Sequence, residues 1–396
     1  MIRPERSKLA SNWSLDPGIT FLNHGSFGAT PIQIMEEQSK LRIQLERDPV
    51  RFFEREFMPL MMESIGVASR FLNADPEGMA FVKNATEGVN TVMRSLELNE
   101  GDEVIVPNHS YQACWNAVDF ATKRSGAKTV VVDLPFRVSN EEEIVNIILG
   151  AVTEKTVLAL IDTVTSPTGL RMPFEELVSK LQSEGVDVLL DAAHGPGIVP
   201  LDLKKIDAAY CTGNFHKWIC SPKGSAFLHI RSDRKDRIRP LSIGHGATFE
   251  GSEQERFEYE FGWPGTQDPT PWLCIPKSME FLSSLVDGGW PSIIEKNKSL
   301  AIEGRKVICE ALGTDPPVPE SMVSSMAAVE MPGNGEVGAM SLEGDPFHNL
   351  LLDRYGIQVP VFPWKHHGKR YIRISAQLYN DIGEYEFLAE VLKERL

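Results

Sequence analysis

The sequence predicts an α/β protein: a parallel sheet wrapped by helices, followed by a smaller C-terminal α+β part. Three observations predict it. Short apolar runs alternate with amphipathic helical stretches over residues 79–228, as strands joined by right-handed crossovers do. At 396 residues the chain exceeds one ordinary core, which divides it into a large and a small part. Several apolar runs end in an acid, a hydroxyl or a glycine turn, at what would be the ligand-binding edge of an open sheet.

Composition narrows the function classes. With 42% hydrophobic and 24% charged residues the chain reads as a soluble globular protein. A formal net charge of −15 argues against nucleic acid or an anionic membrane as the main partner. The five cysteines are scattered, so neither a disulfide framework nor a metal site is expected. No apolar signal core follows Met1, and no apolar run approaches membrane-spanning length, so the cytoplasm is the expected compartment.

Residues 1–20 read as an N-terminal arm, 21–285 as the large domain and 286–396 as the small one. Ile19 to Leu22 is a short apolar strand ending in Asn23-His24-Gly25-Ser26-Phe27-Gly28, a loop whose glycines let backbone pass close to a ligand or a neighbouring subunit. Pro31 to Phe71 is mostly helical, with breaks expected at Pro49 and Pro59. Met79 to Lys83 is a strand, and the turn Asn84-Ala85-Thr86-Glu87-Gly88 opens a helix. The N–H groups at that helix start offer an anion site on Ala85 and Thr86, unless Asn84 or Thr86 merely caps the helix. Glu103 to Pro107 is the next strand, and Tyr111 beyond it is a candidate to stack on a flat heterocycle. Thr129 to Asp133 and Thr156 to Ile161 read as further buried strands, with a helix from Glu141 to Leu149 between them. Ser166, in Thr165-Ser166-Pro167-Thr168-Gly169, lies at the same edge.

Val186 to Leu190 reads as a buried central strand, which puts Asp191 where that strand meets its loop. Ala208 to Cys211 then delivers Asn214-Phe215-His216-Lys217-Trp218 to the same rim. Lys217 sits in a stretch poor in charge, where a lysine loses proton affinity and becomes a nucleophile or base. An acid at a strand end followed by a desolvated lysine suits pyridoxal 5'-phosphate, with the carboxylate holding the pyridine nitrogen protonated. In the small domain the sheet comprises Ser325 to Met331, Ile357 to Phe362 and Tyr371 to Ser375. Helices run from Pro291 to Leu312, Pro346 to Tyr355 and Ile382 to Leu396. Arg373 alternates with Ile372 and Ile374, so it faces away from them and is placed to clamp a carboxylate.

Taken in order, these segments, with Gly265-Thr266-Gln267-Asp268 and Arg373-Ile374-Ser375, resemble the fold-type I pyridoxal-phosphate enzymes of the class V aminotransferase family, closest to the isopenicillin N epimerase-like branch. The resemblance implies the fold-type I architecture, with a mostly parallel sheet of the seven-stranded type, and a homodimer with active sites at the interface. It implies that Lys217 carries the cofactor as a Schiff base and shuttles the Cα proton. Asp191 would pair with the pyridine nitrogen, His194 would lie near the phenolic oxygen and Tyr111 would stack on the ring and serve in catalysis. Ala85, Thr86, Asn214 and His216 would hold the phosphate, Ser166 would lie near the cofactor and Thr266 would reach in from the second subunit. Asn23, His24 and Arg373 would meet the amino-acid substrate.

The stretch Glu320 to Asp345 lacks the nucleophilic cysteine of desulfurases, and tyrosine replaces their stacking histidine, so persulfide chemistry is disfavoured. The reading leans to an amino-acid epimerase or racemase, with a carbon–sulfur β-lyase next and an aminotransferase less favoured. Loop positions suggest that His24, Phe27, His245, Trp364, His366 and His367 shape the substrate pocket.

Overall fold

The structure is a computed structural model that describes residues 4–332, 345–364 and 369–396. Its first strand, β1 (Thr20–Phe21), pairs in parallel with Ile357–Gln358 near the C-terminus rather than with the large sheet. Ser375 N–H donates to Leu22 O (2.9 Å) and Asn380 Nδ2 to Phe21 O (3.0 Å). A boundary at residue 21 therefore cuts through a strand that is bonded to the C-terminal part.

The large sheet contains β2 (Met79–Val82), β3 (Glu103–Pro107), β4 (Lys128–Val132), β5 (Thr156–Asp162), β6 (Asp187–Ala192), β7 (Tyr210–Asn214) and β8 (Ala226–Ile230). Their order is β2-β8-β7-β6-β5-β3-β4. The strands β3 to β7 run parallel, whereas β8 is antiparallel to both of its neighbours. Central β6 reads as expected: Val188, Leu189 and Leu190 are fully buried. Each such side chain stabilises the fold by roughly 1.5–3 kcal/mol. The expectation of a buried strand at 129–133 is corrected. β4 is an edge strand whose Val131 is 43% exposed.

The helical stretch before the sheet breaks at Pro49, as expected, but not at Pro59. Asp48 caps a short turn through Arg51 N–H (3.1 Å), a π-turn follows over Phe52–Glu56, and Phe57–Phe71 continues as a helix. Pro59 lies in the first turn of that helix, where a missing N–H forfeits no intrahelical bond.

The C-terminal sheet has the order β11-β12-β9 and is antiparallel, formed by β9 (Met326–Glu330), β11 (Val361–Trp364) and β12 (Lys369–Ser375). The single strand expected over 357–362 is divided by Val359-Pro360 into β10 (Ile357–Gln358) and β11, each with its own partner. Helices Gly289–Leu312 and Ile382–Arg395 pack on this sheet through Ala301, Ile308, Leu388 and Val391 against Ile372 and Ile374. Among the described residues no helix is long and apolar enough to cross a membrane.

The consequence for function is an edge. The carboxyl ends of β2, β3, β5, β6 and β7 deliver Asn84, Ser110, Asp162, Asp191 and Asn214 to one rim, and the C-terminal sheet stands against it.

Candidate active site

Where the two sheets meet lies a cavity of about 790 Å³, lined by the rim residues together with Tyr111, His194, His216, Lys217, Phe362, Trp364, Tyr371 and Arg373. Lys217 follows β7 and is part-buried; its Nζ lies 3.0 Å from His194 Nε2. Burial lowers its proton affinity to about 8, against the opposing pull of Asp191, and Arg373 lowers it further. A neutral amine is therefore available close to physiological pH.

The backbone that carries this amine is held from below. Gly28 has φ +71°, and a Cβ there would lie 2.9 Å from Lys217 Cα, so the loop after β1 packs directly on the lysine backbone. His24 Nε2 is 3.0 Å from Lys217 O, and its Nδ1 is 2.8 Å from Tyr379 Oη. A carbonyl only accepts, so Nε2–H donates to it and Tyr379 donates to Nδ1. Burial pushes the His24 imidazole down to about 3, which keeps it neutral. The expectation that His24 touches substrate is thus corrected. Both its nitrogens are committed beneath Lys217, and it does not line the cavity.

Asp191 is buried at the end of β6, where Ala193 N–H donates to its Oδ1 (2.8 Å) and the Cys114 thiol to its Oδ2 (3.2 Å). Burial raises its proton affinity. Beside it in register on β5 stands Asp162, which sequence reasoning missed. The Ser110 hydroxyl donates to Asp162 (2.6 Å), and burial, then Asp191, push its carboxyl well above the usual range. The two adjacent buried carboxyls oppose each other's ionisation, and Asp162 is pushed up the further. The signal was present in Ile161-Asp162, a second acid closing a buried apolar run.

The turn after β2 starts helix Ala85–Ser95, with Asn84 Oδ1 accepting from Glu87 N–H (2.8 Å) as its cap. The cap and the anion site are therefore compatible. Ala85 N–H is already bonded to Asn214 Oδ1 (2.9 Å), so Ala85 shapes the turn while Thr86 and the Asn214 amide face the cavity as donors. His216 Nδ1–H donates to Ser225 O (2.9 Å), and burial lowers its ring to about 4. A neutral His216 thus presents only a lone pair, and it donates to an anion only when that anion charges it.

On the opposite side stands Arg373. Its Nη1 donates to Ser166 O, and its Nη2 donates to Asn23 Oδ1 (3.1 Å) and Ser26 Oγ (3.0 Å). Asn23 is corrected from a substrate contact to a support of the arginine, since it does not line the cavity. Arg373 Nε is buried and has no hydrogen-bond partner among the described residues. The guanidinium lines the cavity as a buried cation, which suits a carboxylate. Around it Phe362, Tyr371 and Trp364 form an aromatic wall, with the guanidinium 5.5 Å from the Phe362 ring centre. Phe27 and Tyr111 also line the space, Phe27 largely exposed and Tyr111 half-buried.

One pocket expectation falls elsewhere, one residue expected to serve a second subunit lies apart in this protomer, and two residues are outside the described ones. His245 begins a short turn outside the cavity. Thr266 lines a separate cleft with Lys83 and Glu87. His366 and His367, like residues 333–344, lie outside the described residues. The set that remains is an amine of lowered proton affinity, a buried acid at a strand end, a helix-end anion cradle and a buried arginine. It fits a phosphorylated pyridine aldehyde together with an amino acid.

Comparison with known proteins agrees. The sequence profile of the class-V aminotransferases matches residues 44–310. A probable chloroplastic L-cysteine desulfhydrase of Arabidopsis thaliana is 30% identical over 95% of this chain and 83% of its own. The isopenicillin N epimerase of Amycolatopsis lactamdurans is 29% identical over 96% of each. Among solved structures, the cystine C-S lyase C-DES in complex with its product cysteine persulfide superposes with a TM-score of 0.79 at 16% identity, covering 96% of this chain and 98% of that one.

Proposed function

We propose that this chain, which belongs to the class-V aminotransferase family, takes the Cα proton of an α-amino acid with Lys217 and then releases a sulfur-bearing substituent from Cβ. Its cofactor is pyridoxal 5'-phosphate. When bound, the cofactor supplies the electron sink that makes the Cα proton acidic. The observation that carries the reading is the pairing, in one cavity, of the desolvated Lys217 amine with the Arg373 guanidinium.

The chain's own groups divide the work. Asp191 holds charge toward the pyridine nitrogen, and Thr86, Asn214 and His216 hold the phosphate. Arg373 orients the substrate by its carboxylate, and Lys217 removes the proton. Tyr111 stays a phenol because burial raises its proton affinity, so it gives a proton but does not take one near neutral pH. Reversible epimerisation needs a second-face group that also takes the proton, which Tyr111 does not do near neutral pH, so elimination moves ahead of it. The aromatic wall supports a substrate bulkier than free cysteine, such as an S-substituted cysteine.

Epimerisation stays the second reading, favoured by the similarity to isopenicillin N epimerase and by Tyr111 as donor to the other face of Cα. Proton NMR in D₂O with S-substituted L-cysteines separates the two. Pyruvate, ammonia and a thiol or sulfenate mean elimination, whereas Cα deuterium with racemisation and no keto acid means epimerisation. No exchange on any amino acid would defeat both.

We also propose a homodimer. Phe27, Ile43 and Val50 are 75%, 66% and 65% exposed on the helices before the large sheet, an apolar surface that a second copy would cover. In this arrangement Thr266 serves the neighbouring site. Sedimentation at the monomer mass of the cofactor-loaded protein would refute it.

A further inference from the structure

Two hydrogen bonds around His194 are not accounted for by holding a cofactor. Trp218 Nε1 lies 3.2 Å from His194 Nδ1, and His194 Nε2 lies 3.0 Å from Lys217 Nζ. We propose that Trp218 is a positioning residue: it fixes the proton of His194 on Nε2 and thereby biases Lys217 toward the uncharged amine. This rests on the reading of Lys217 as the reactive amine.

An indole nitrogen donates and never accepts, so Nδ1 of His194 has its lone pair turned to Trp218. A neutral imidazole with a bare Nδ1 carries its proton on Nε2. That N–H points at Lys217, and only an uncharged amine nitrogen can accept it. The opposite tautomer would reverse the sign, because a bare Nε2 would accept from the ammonium and stabilise it. The ring cannot escape by taking a second proton, since burial and the nearby Lys217 and Arg373 push its proton affinity well down. Nor has Trp218 room to swing. It is buried, its ring centre is 4.9 Å from that of His24, and Gly197 packs against its Cβ.

The other charges facing Lys217 act without such direction. Asp191 on β6, Asp162 on β5 and Cys114 on helix Gln112–Ser125 favour the ammonium, while Arg373 on β12 opposes it. His216 and His24, next to Lys217 or beneath it, are neutral by burial. His194 is therefore the group whose effect on Lys217 depends on where one proton sits.

The chemistry at stake is imine formation. The nitrogen lone pair bonds to the aldehyde carbon, the amine's two hydrogens leave with the carbonyl oxygen as water, and an ammonium cannot begin the step. The test uses the full chain stripped of cofactor, mixed briefly with pyridoxal 5'-phosphate at each pH and then quenched into excess borohydride at one common pH, which reduces the imine to a stable amine. Intact mass gives the rate of capture from about pH 6.5 to 10. The wild type should show a midpoint near 8. Trp218→Phe, which keeps an aromatic ring but no donor, should move the midpoint up by about one unit and slow capture roughly tenfold at pH 7.5. Coincident profiles for the two folded proteins would overturn the proposal. The tautomer itself is read in the wild type by ¹⁵N–¹H NMR of His194, which decides the matter even if the variant does not fold. An Nε2–H pattern is expected, and an Nδ1–H pattern would overturn it. Lys217→Ala subtracts capture at other lysines, and capture undiminished in that variant would instead remove the reading of Lys217 as the amine.

Discussion

The floor and the wall of the cavity are built on opposite plans. On the floor, His24, Asp162, Asp191 and His194 are each hydrogen-bonded to groups within the chain, and Gly28 presses on Lys217 from beneath. On the wall, Arg373 keeps an unused Nε–H among aromatic side chains. A satisfied polar network is rigid, whereas an unsatisfied buried donor costs about 1–3 kcal/mol until something fills it. The floor is thus arranged to position chemistry, and the wall is left incomplete for a ligand.

That contrast can be broken at defined points. Lys217→Ala should abolish covalent capture of the cofactor and reduce Cα deuterium exchange by about 10³-fold or more, measured by mass and NMR. An active variant would mean that the floor holds another base. Arg373→Leu should raise KM roughly 10- to 100-fold through lost charge-assisted bonds. Capture of the cofactor should persist with its pH midpoint shifted upward, since Arg373 lowers the proton affinity of Lys217. In the wild type, capture should accelerate with pH and level off above about 8, because the amine is neutral above its lowered value and protonated below it. At pH 7 about one-tenth would be reactive, and a profile flat over this range would deny the desolvated lysine. Tyr111→Phe, which keeps the ring, should lower kcat up to about tenfold with little change in KM, tested by steady-state kinetics. The smallest effect sharpens the floor alone. Gly28→Ala forces a side chain into the left-handed region against Lys217, and should cost about 1–3 kcal/mol of stability, read as a lower Tm.

Much of this was legible beforehand, and what was not has physical reasons. Periodicity places Glu103–Pro107, Glu141–Leu149 and Pro346–Tyr355 to the residue, and the acid closing a buried run marks Asp191. Periodicity carries no partner, so the insertion of β8 and the pairing of β1 with β10 were not readable from it. An apolar run such as 129–133 does not reveal that it forms an edge. Loop residues give no direction, which is why His24 was taken for a substrate contact although its ring turns under Lys217. The sequence assigns Trp218 no role, because a tautomer is set by a neighbour that follows β6, not by spacing along the chain.

The joining of the two chain ends beneath Lys217 bears on synthesis. His24 and Tyr379 are 355 residues apart, Arg373 and Asn23 are 350 apart, and β1 finds its partner only at β10. A ribosome delivers these ends tens of seconds apart, so the sheet bearing Asp191 and Lys217 can form well before its underlay does. The support beneath Lys217 is then complete only once Tyr379 has been made and docked. Vitamin supply during translation would act as a late selector of finished molecules over stalled ones, by stabilising only chains that have closed.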